Sequence, residues 1–340
     1  MNIVAARIEQ AQGRTDDRDA LLSVQNLGVR LTDGAPIVQE LSFSIARGET
    51  LALVGESGCG KSMTALALMG LLPPGIALAG GQVHFAGQDL AVLPERQLRQ
   101  LRGNRMAMIF QEPMTSLNPV LRVGEQIIEV IRTHEKVGAR AARARAADLL
   151  ALVHVPDPER RLEAYPHQLS GGQRQRVMIA AALACGPDLL IADEPTTALD
   201  VTTQAEILRL LRELQAARGL AVLLITHDLG VVGQMADRVM VMYAGRRVEL
   251  GPVVGVMRAP SHPYTRLLID ARPHSGTARG GRLAEIPGIV PSPHAMPAGC
   301  AFAPRCPKAA DACRSGVPAA VTTAAGHEAA CLFAEAGHGR

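Results

Sequence analysis

The chain has 340 residues, 48% hydrophobic and 20% charged, which excludes a disordered or fibrous polymer. At about 100–200 residues per domain, that length allows one large domain with a smaller one. A net charge of +3, from 35 basic and 32 acidic residues, and an aromatic content of 2% with no Trp supply neither the electrostatic footprint nor the stacking platforms of a nucleic-acid binder.

Residues 1–20 read as a polar leader. With Arg7, Arg14, Asp16, Asp17, Arg18 and Asp19 they lack the apolar core of a secretory signal. No apolar stretch reaches the roughly 18 residues of a spanning helix, so the expected location is the cytoplasm. Strand-like runs follow at Leu22–Leu27, Leu41–Ile45 and Thr50–Val54, with turn signals at Asp33-Gly34 and Arg47-Gly48. These predict a β subdomain. A glycine-rich octapeptide comes next, and then a helix over Met63–Leu72 that Pro73-Pro74-Gly75 ends. Met106–Phe110 reads as a buried strand and residues 121–153 as mainly helical, with Arg140, Arg143 and Arg145 on a solvated face. A second alternation has helices at Gln173–Cys185, Thr202–Arg218 and Leu229–Met235. Between and after them come strands at Leu189–Ala192, Leu220–Thr226 and Val239–Met242. Strands separated by helices of this length predict a parallel sheet with helices on its faces, an α/β fold. From Pro252 the chain becomes richer in Pro and Gly, residues 273–299 are loop-rich, and a boundary is expected near residue 255. There is no internal repeat of the solenoid kind.

The octapeptide Gly55-Glu56-Ser57-Gly58-Cys59-Gly60-Lys61-Ser62 satisfies the P-loop pattern between a predicted strand and a predicted helix. Its glycines let successive N–H groups converge on phosphate oxygens. Lys61, one of only three lysines, adds a point charge for the β- and γ-phosphates, and Ser62 offers a hydroxyl to Mg²⁺. Cys59 reads as a small filler within the loop. Leu189–Ala192 ends in Asp193 and Glu194, at the carboxyl end of a predicted parallel strand where ligands gather. Asp193 suits the Mg²⁺ shell and Glu194 a general base for an attacking water. Leu169-Ser170-Gly171-Gly172-Gln173 opens another helix and makes a second anion-seeking N-terminus, this one without a lysine. Two such ends, differently equipped, suggest two nucleotides and a dimer.

In this order the P-loop, Gln111 after a strand, Leu-Ser-Gly-Gly-Gln, Asp193-Glu194, Ala198-Leu199-Asp200 and Thr226-His227-Asp228 resemble the ATP-binding cassette of ABC transporters over residues 21–255. Three further stretches resemble the dipeptide and oligopeptide importer ATPases and extend the likeness to about residue 333. They are Gln111-Glu112-Pro113-Met114-Thr115-Ser116-Leu117-Asn118-Pro119, His262-Pro263-Tyr264-Thr265 and Gly299-Cys300-Ala301-Phe302-Ala303-Pro304-Arg305-Cys306-Pro307. The resemblance implies a P-loop NTPase cassette with a parallel-sheet core, an antiparallel β subdomain and a helical subdomain at about 112–170, followed by an importer-type extension over 256–340.

It also implies two cassettes packed head to tail, as a homo- or heterodimer, with ATP clamped between Gly55–Ser62 of one and Ser170–Gln173 of the other. Gln111 would contact Mg²⁺ and the attacking water, Glu194 would be the catalytic base, His227 would hold the γ-phosphate and Glu194 in register, and Asp200 would communicate across the dimer. The implied partners are two membrane permease subunits at the cytoplasmic face of the inner membrane and, indirectly, an extracytoplasmic solute-binding protein. Import of nickel chelates, opines or another small solute is an alternative. A more remote one is a soluble ATPase acting on ribosomes or DNA, although such proteins carry two cassettes or a coiled-coil insertion. Where such cassettes present Phe or Tyr to adenine near the end of the early strand, this chain has Leu31, so looser base discrimination is expected.

Four of the six cysteines, Cys300, Cys306, Cys313 and Cys331, fall in the last 41 residues. In the cytoplasm such clustering points to metal before disulfides. Intervals of five, six and seventeen residues depart from the Cys-x-x-Cys pairs of zinc ribbons, and Cys306-Pro307 echoes ferredoxin-type runs. One [4Fe–4S] cluster is therefore expected. Four structural thiols, or zinc with His327, are the alternatives.

Overall fold

The computed structural model describes residues 20–111, 116–196, 200–271 and 286–334. Its strands, in chain order, are β1 (Ala20–Leu31), β2 (Pro36–Ala46), β3 (Thr50–Val54), β4 (Ile76–Phe85), β5 (Gln88–Asp89), β6 (Met106–Ile109), β7 (Leu189–Asp193), β8 (Ala221–Ile225), β9 (Arg238–Tyr243), β10 (Arg246–Pro252), β11 (Val321–Ala324) and β12 (His327–Ala329). The chain divides into two compact units. The first takes in residues 20–46, 50–91 and 226 onward, and the second takes in Arg47–Glu49 and Val92–Ile225. The expected leader lies almost wholly outside the described residues.

In the first unit β2-β1-β4-β5 form an antiparallel sheet. Along β1, Leu22, Val24, Leu27 and Val29 are buried, and register shifts between Val24 and Leu27 keep the apolar side chains on one face across an irregular turn of the strand. A second set of strands begins with β3 parallel to β9. Antiparallel pairings of β9 with β10, β10 with β12 and β12 with β11 follow. The hairpin near the C-terminus thus extends the same sheet as the strand that precedes the P-loop. Beneath it lies a core of Ala52, Val54, Val239, Val241, Tyr243, Val256, Tyr264 and Phe302, where the three rings meet edge to face or tilted, Tyr243 to Tyr264 at 4.7 Å and Tyr243 to Phe302 at 5.1 Å.

In the second unit β6, β7 and β8 run parallel, and every residue of β7 is buried, as a strand covered on both faces requires. Helices Val123–His134, Ala139–Leu152, Gly171–Ala182 and Val201–Arg218 accompany them. In Val123–His134 the buried residues Val123, Gly124, Ile127 and Ile131 recur at helical spacing. Arg140 and Arg143 are exposed as expected, and Arg143 pairs with Glu163 at 2.6 Å. Arg145 differs, because it turns inward to Glu135 and to the carbonyl of Ala184.

Several elements depart from the sequence reading. The helix expected over Met63–Leu72 spans Lys61–Leu68. It closes before the prolines, where Gly70 N–H donates to Ala67 and Leu71 N–H to Leu66, the paired bonds of a Schellman stop. Past Pro252, where the Pro- and Gly-richer sequence predicts no regular element, helices Val253–Arg258 and Pro263–Asp270 and the β11–β12 hairpin are formed. Among the described residues no helix is long and apolar enough to cross a membrane.

Candidate active site

In the first unit the buried strand β3 runs into the loop Gly55–Gly60 and the helix that starts at Lys61. Gly55 has φ of 157°, and a Cβ there would lie 2.3 Å from the Met242 carbonyl oxygen, so the loop approaches β9 more closely than any side chain permits. Lys61 is 8% exposed, and its Nζ donates to the carbonyls of Gly55 at 2.9 Å and Glu56 at 3.0 Å. The ammonium is thus held over the loop. Cys59 is fully buried, and burial pushes its thiol up despite the opposing charge of Lys61, in keeping with a filler role. Ser57 and Gly58 are exposed at the loop tip, and Ser62 is half-buried in the first turn of the helix.

Glu56 is held from two sides. Its N–H donates to the Tyr264 hydroxyl at 2.8 Å. Its carboxylate accepts a two-pronged bond from Arg305, Nη1 to Oε2 at 2.7 Å and Nη2 to Oε1 at 3.0 Å. The sequence assigns neither partner a role, because both contacts join residues far apart in the chain; two of the three Tyr and one of the five Phe converge on this place. Also in this unit, His227 sits exposed between Thr226 and the helix Leu229–Met235, which Asp228 caps through the N–H of Gly230 at 2.6 Å. Leu31 is half-buried at the end of β1, opposite Ile76.

In the second unit Asp193 ends β7 and is 3% exposed. Glu194 follows with φ of 49°, its N–H bonded to the Ile225 carbonyl at 2.9 Å. Gln111, just beyond β6, donates from Nε2 to Glu194 Oε2 at 3.3 Å, so these two predicted residues do meet. Ser170 and Gln173 form a reciprocal capping box that leaves Gly171 and Gly172 in the first turn of their helix. Gln175, buried in that helix and overlooked in the sequence, donates to the Pro195 carbonyl just beyond Glu194. Asp200 caps the helix Val201–Arg218, accepting from Thr203 N–H at 3.0 Å and Thr203 Oγ1 at 2.8 Å, and these bonds hold its carboxyl below the ordinary range.

The carboxylate of Asp193, the hydroxyl of Ser62 and the amide oxygen of Gln111 are hard oxygen donors, the kind Mg²⁺ prefers. The tail thiols are a different case. All four are free cysteines. Burial raises Cys300, Cys306 and Cys331. Backbone N–H groups oppose that, Phe302 and Ala303 toward Cys300, Lys308 toward Cys306, and Phe333 and Ala334 toward Cys331. The donor chemistry is that of a thiophilic site, yet among the described residues no group of three or more His, Cys, Asp or Glu is gathered as a metal-ion site.

Residues 38–197 match the family described as ABC transporter, and residues 248–313 match the C-terminal region of oligopeptide/dipeptide transporters. A probable peptide ABC transporter ATP-binding protein of Sinorhizobium fredii is 52% identical over 317 residues, 92% of this chain and 95% of that protein. The dipeptide transport ATP-binding protein DppD of Escherichia coli is 50% identical over 318 residues, 92% of this chain and 97% of its own length. Among solved structures, a dimeric ATP-binding cassette in a post-hydrolysis state with ADP and Pi aligns with a TM-score of 0.62 at 26% identity, over 68% of this chain and 98% of that one. A component of an ABC transporter complex from Clostridium perfringens aligns with a TM-score of 0.60 at 28% identity, over 71% of this chain and 96% of that one.

The fold and the P-loop therefore define an ATP-binding cassette. The chain belongs to the ABC transporter family, in the branch that carries the oligopeptide/dipeptide transporter C-terminal region.

Proposed function

We propose that this chain binds Mg·ATP and hydrolyses it to drive the uptake of dipeptides or oligopeptides through a membrane permease. The observation that carries the reading is the conjunction, in one chain, of a P-loop with its lysine held over the loop and a C-terminal region of the oligopeptide/dipeptide type. The loop Gly55–Ser62 cradles the phosphates, with Lys61 exchanging the Gly55 and Glu56 carbonyls for phosphate oxygens. Asp193, Ser62 and Gln111 serve Mg²⁺, which when bound neutralises charge on the phosphates. Glu194 takes the proton of the attacking water, with Gln111 orienting its carboxylate and His227 holding the γ-phosphate. The helix opening at Ser170–Gln173 has an N-terminal anion site and no lysine, which supports its service to the nucleotide of a second cassette, with Asp200 at the dimer contact.

In this reading the chain works at the cytoplasmic face of the inner membrane, beside two permease subunits and in concert with an extracytoplasmic binding protein. The divisions at about residues 21, 112, 170 and 255 mark the cassette, its helical part and the importer-type extension. Co-purification with the permease, followed by ATPase assay in proteoliposomes, tests the assignment. Peptide-loaded binding protein is expected to stimulate hydrolysis, whereas stimulation by ribosomes or DNA instead would overturn it.

For the tail, the reading is one [4Fe–4S] cluster on Cys300, Cys306, Cys313 and Cys331. Four thiols with N–H donors around three of them, in a segment with little apolar surface of its own, support it. Such a group would cross-link the segment. Protein purified anaerobically is expected to be brown, with about four iron and four sulfide per chain. Stoichiometric zinc, or no metal, would return the thiols to the zinc or structural alternative.

A further inference from the structure

We propose that Arg305, in the C-terminal region, is a positioning residue for the P-loop, acting through Glu56 on the carbonyls that hold Lys61. The inference rests on the reading of Gly55–Ser62 as the phosphate site. Its basis is the geometry around one guanidinium. The Arg305 side chain is 5% exposed, and a buried charge of that kind persists only when it is paired and its N–H groups are satisfied. Here they are. Nε donates to the Pro287 carbonyl at 2.8 Å, Nη2 to the Ile286 carbonyl at 3.1 Å and to Glu56, and Nη1 to the Tyr243 hydroxyl at 3.2 Å and to Glu56. The guanidinium also lies 5.7 Å from the Tyr243 ring centroid. The fork is rigid because Phe302, three residues earlier, is locked among Tyr243, Tyr264 and His262.

The second residue of the P-loop is therefore fixed at both its carboxylate and its N–H by Arg305 and Tyr264, residues more than 200 positions away. Once those are set, the peptide planes around Glu56 are set too, and with them the Gly55 and Glu56 carbonyls on which Lys61 rests. Arg305 does a second thing. It neutralises a carboxylate that would otherwise stand unpaired beside the phosphate cradle and repel the polyphosphate. Lysine cannot reproduce the fork.

The test is a double-mutant cycle on nucleotide affinity in the full chain, read by titration with ATP and with melting temperature followed in parallel. Arg305→Ala is expected to weaken ATP binding about tenfold or more. Arg305→Lys should recover part of that loss. Adding Glu56→Gln to Arg305→Ala should recover only the part of the loss due to the repelling charge, because the fork that positions the loop is still absent, and full recovery to wild-type affinity would overturn the positioning role. If Arg305→Ala fails to fold, Glu56→Gln alone probes the pair from the loop side: with Arg305 then lacking its carboxylate partner, a changed ATP affinity supports the coupling. A merely structural Arg305 would lower the melting temperature and leave ATP affinity unchanged in every variant, which overturns the proposal. Lys61→Ala separates the two readings. If it too leaves ATP affinity unchanged, the phosphate-site reading has failed. If it weakens binding while the Arg305 and Glu56 variants do not, the positioning role alone falls.

Discussion

Lys61 and Glu194 carry different parts of the proposed reaction, and their surroundings differ accordingly. Lys61 is buried, and two carbonyls stand in for water around its ammonium. Removing it deletes the charge that meets the phosphates, so Lys61→Ala should weaken ATP binding itself, measurable by nucleotide titration. Glu194 stands in the left-handed region, φ 49°, at the end of β7, where a residue other than glycine costs about 1–2 kcal/mol. The Ile225 carbonyl and Gln111 hold it there. Glu194→Gln keeps the shape and removes the base. Hydrolysis should fall by about 10²–10⁴-fold with ATP affinity retained, and a wild-type rate in the presence of the permease would dismiss Glu194 as the base. Both residues were visible in the sequence because their motifs are local. Arg305 was not, since its meaning lies in a contact with Glu56 that local spacing does not encode.

At the scale of elements, the same distinction explains what was legible. Helices and buried strands with their own periodicity or caps, such as Leu229–Met235 and β7, emerge from the sequence within a residue or so. The hairpin β11–β12 did not. Its strands have four and three residues, too short for a period, and they form because β10 offers an edge far away in sequence. Helix ends were the least legible, as Lys61–Leu68 shows. One end provides a clean measurement. The helix Val201–Arg218 stops at Gly219, whose φ is 65° and around which a Cβ would meet nothing within 4 Å. Gly219→Ala therefore brings backbone strain without a clash and should lower stability by about 1 kcal/mol, with Gly219→Asn milder because Asn tolerates this conformation. Melting curves of the two variants check it. Equal melting of Ala, Asn and wild type would mean that the helix end relaxes.

On the scale of the whole chain, stability of the first unit is tied to pH through the join between the P-loop side and the C-terminal region. Glu249 on β10 is 1% exposed. It accepts from the N–H groups of Ser261 at 2.7 Å and His262 at 3.0 Å, and meets His327 Nε2 of β12 at 2.7 Å. Burial pushes its carboxyl up, but these bonds outweigh burial and hold it below the ordinary range. His262 is 2% exposed, its Nδ1 accepts from the Tyr264 N–H at 3.0 Å, and burial lowers its pKa from 6.5 to about 4, with the nearby Glu249 charge opposing. The imidazole is thus neutral when folded and must stay so to keep that bond. The unfolded chain binds this proton more readily between about pH 6.5 and 4, so the stabilisation is complete above 6.5 and is lost as pH falls toward 4. The Glu249 contribution is lost only at more acid pH, below its ordinary value of 4.5. The His262 shift, from 6.5 to about 4, corresponds to about 3 kcal/mol as an order of magnitude. The melting temperature should therefore drop between pH 7.5 and pH 5. In His262→Asn, whose side-chain oxygen can still accept from Tyr264 but does not titrate, melting should be lower at pH 7.5 and the drop shallower. A wild-type slope in that variant would remove His262 from the acid side of the stability curve.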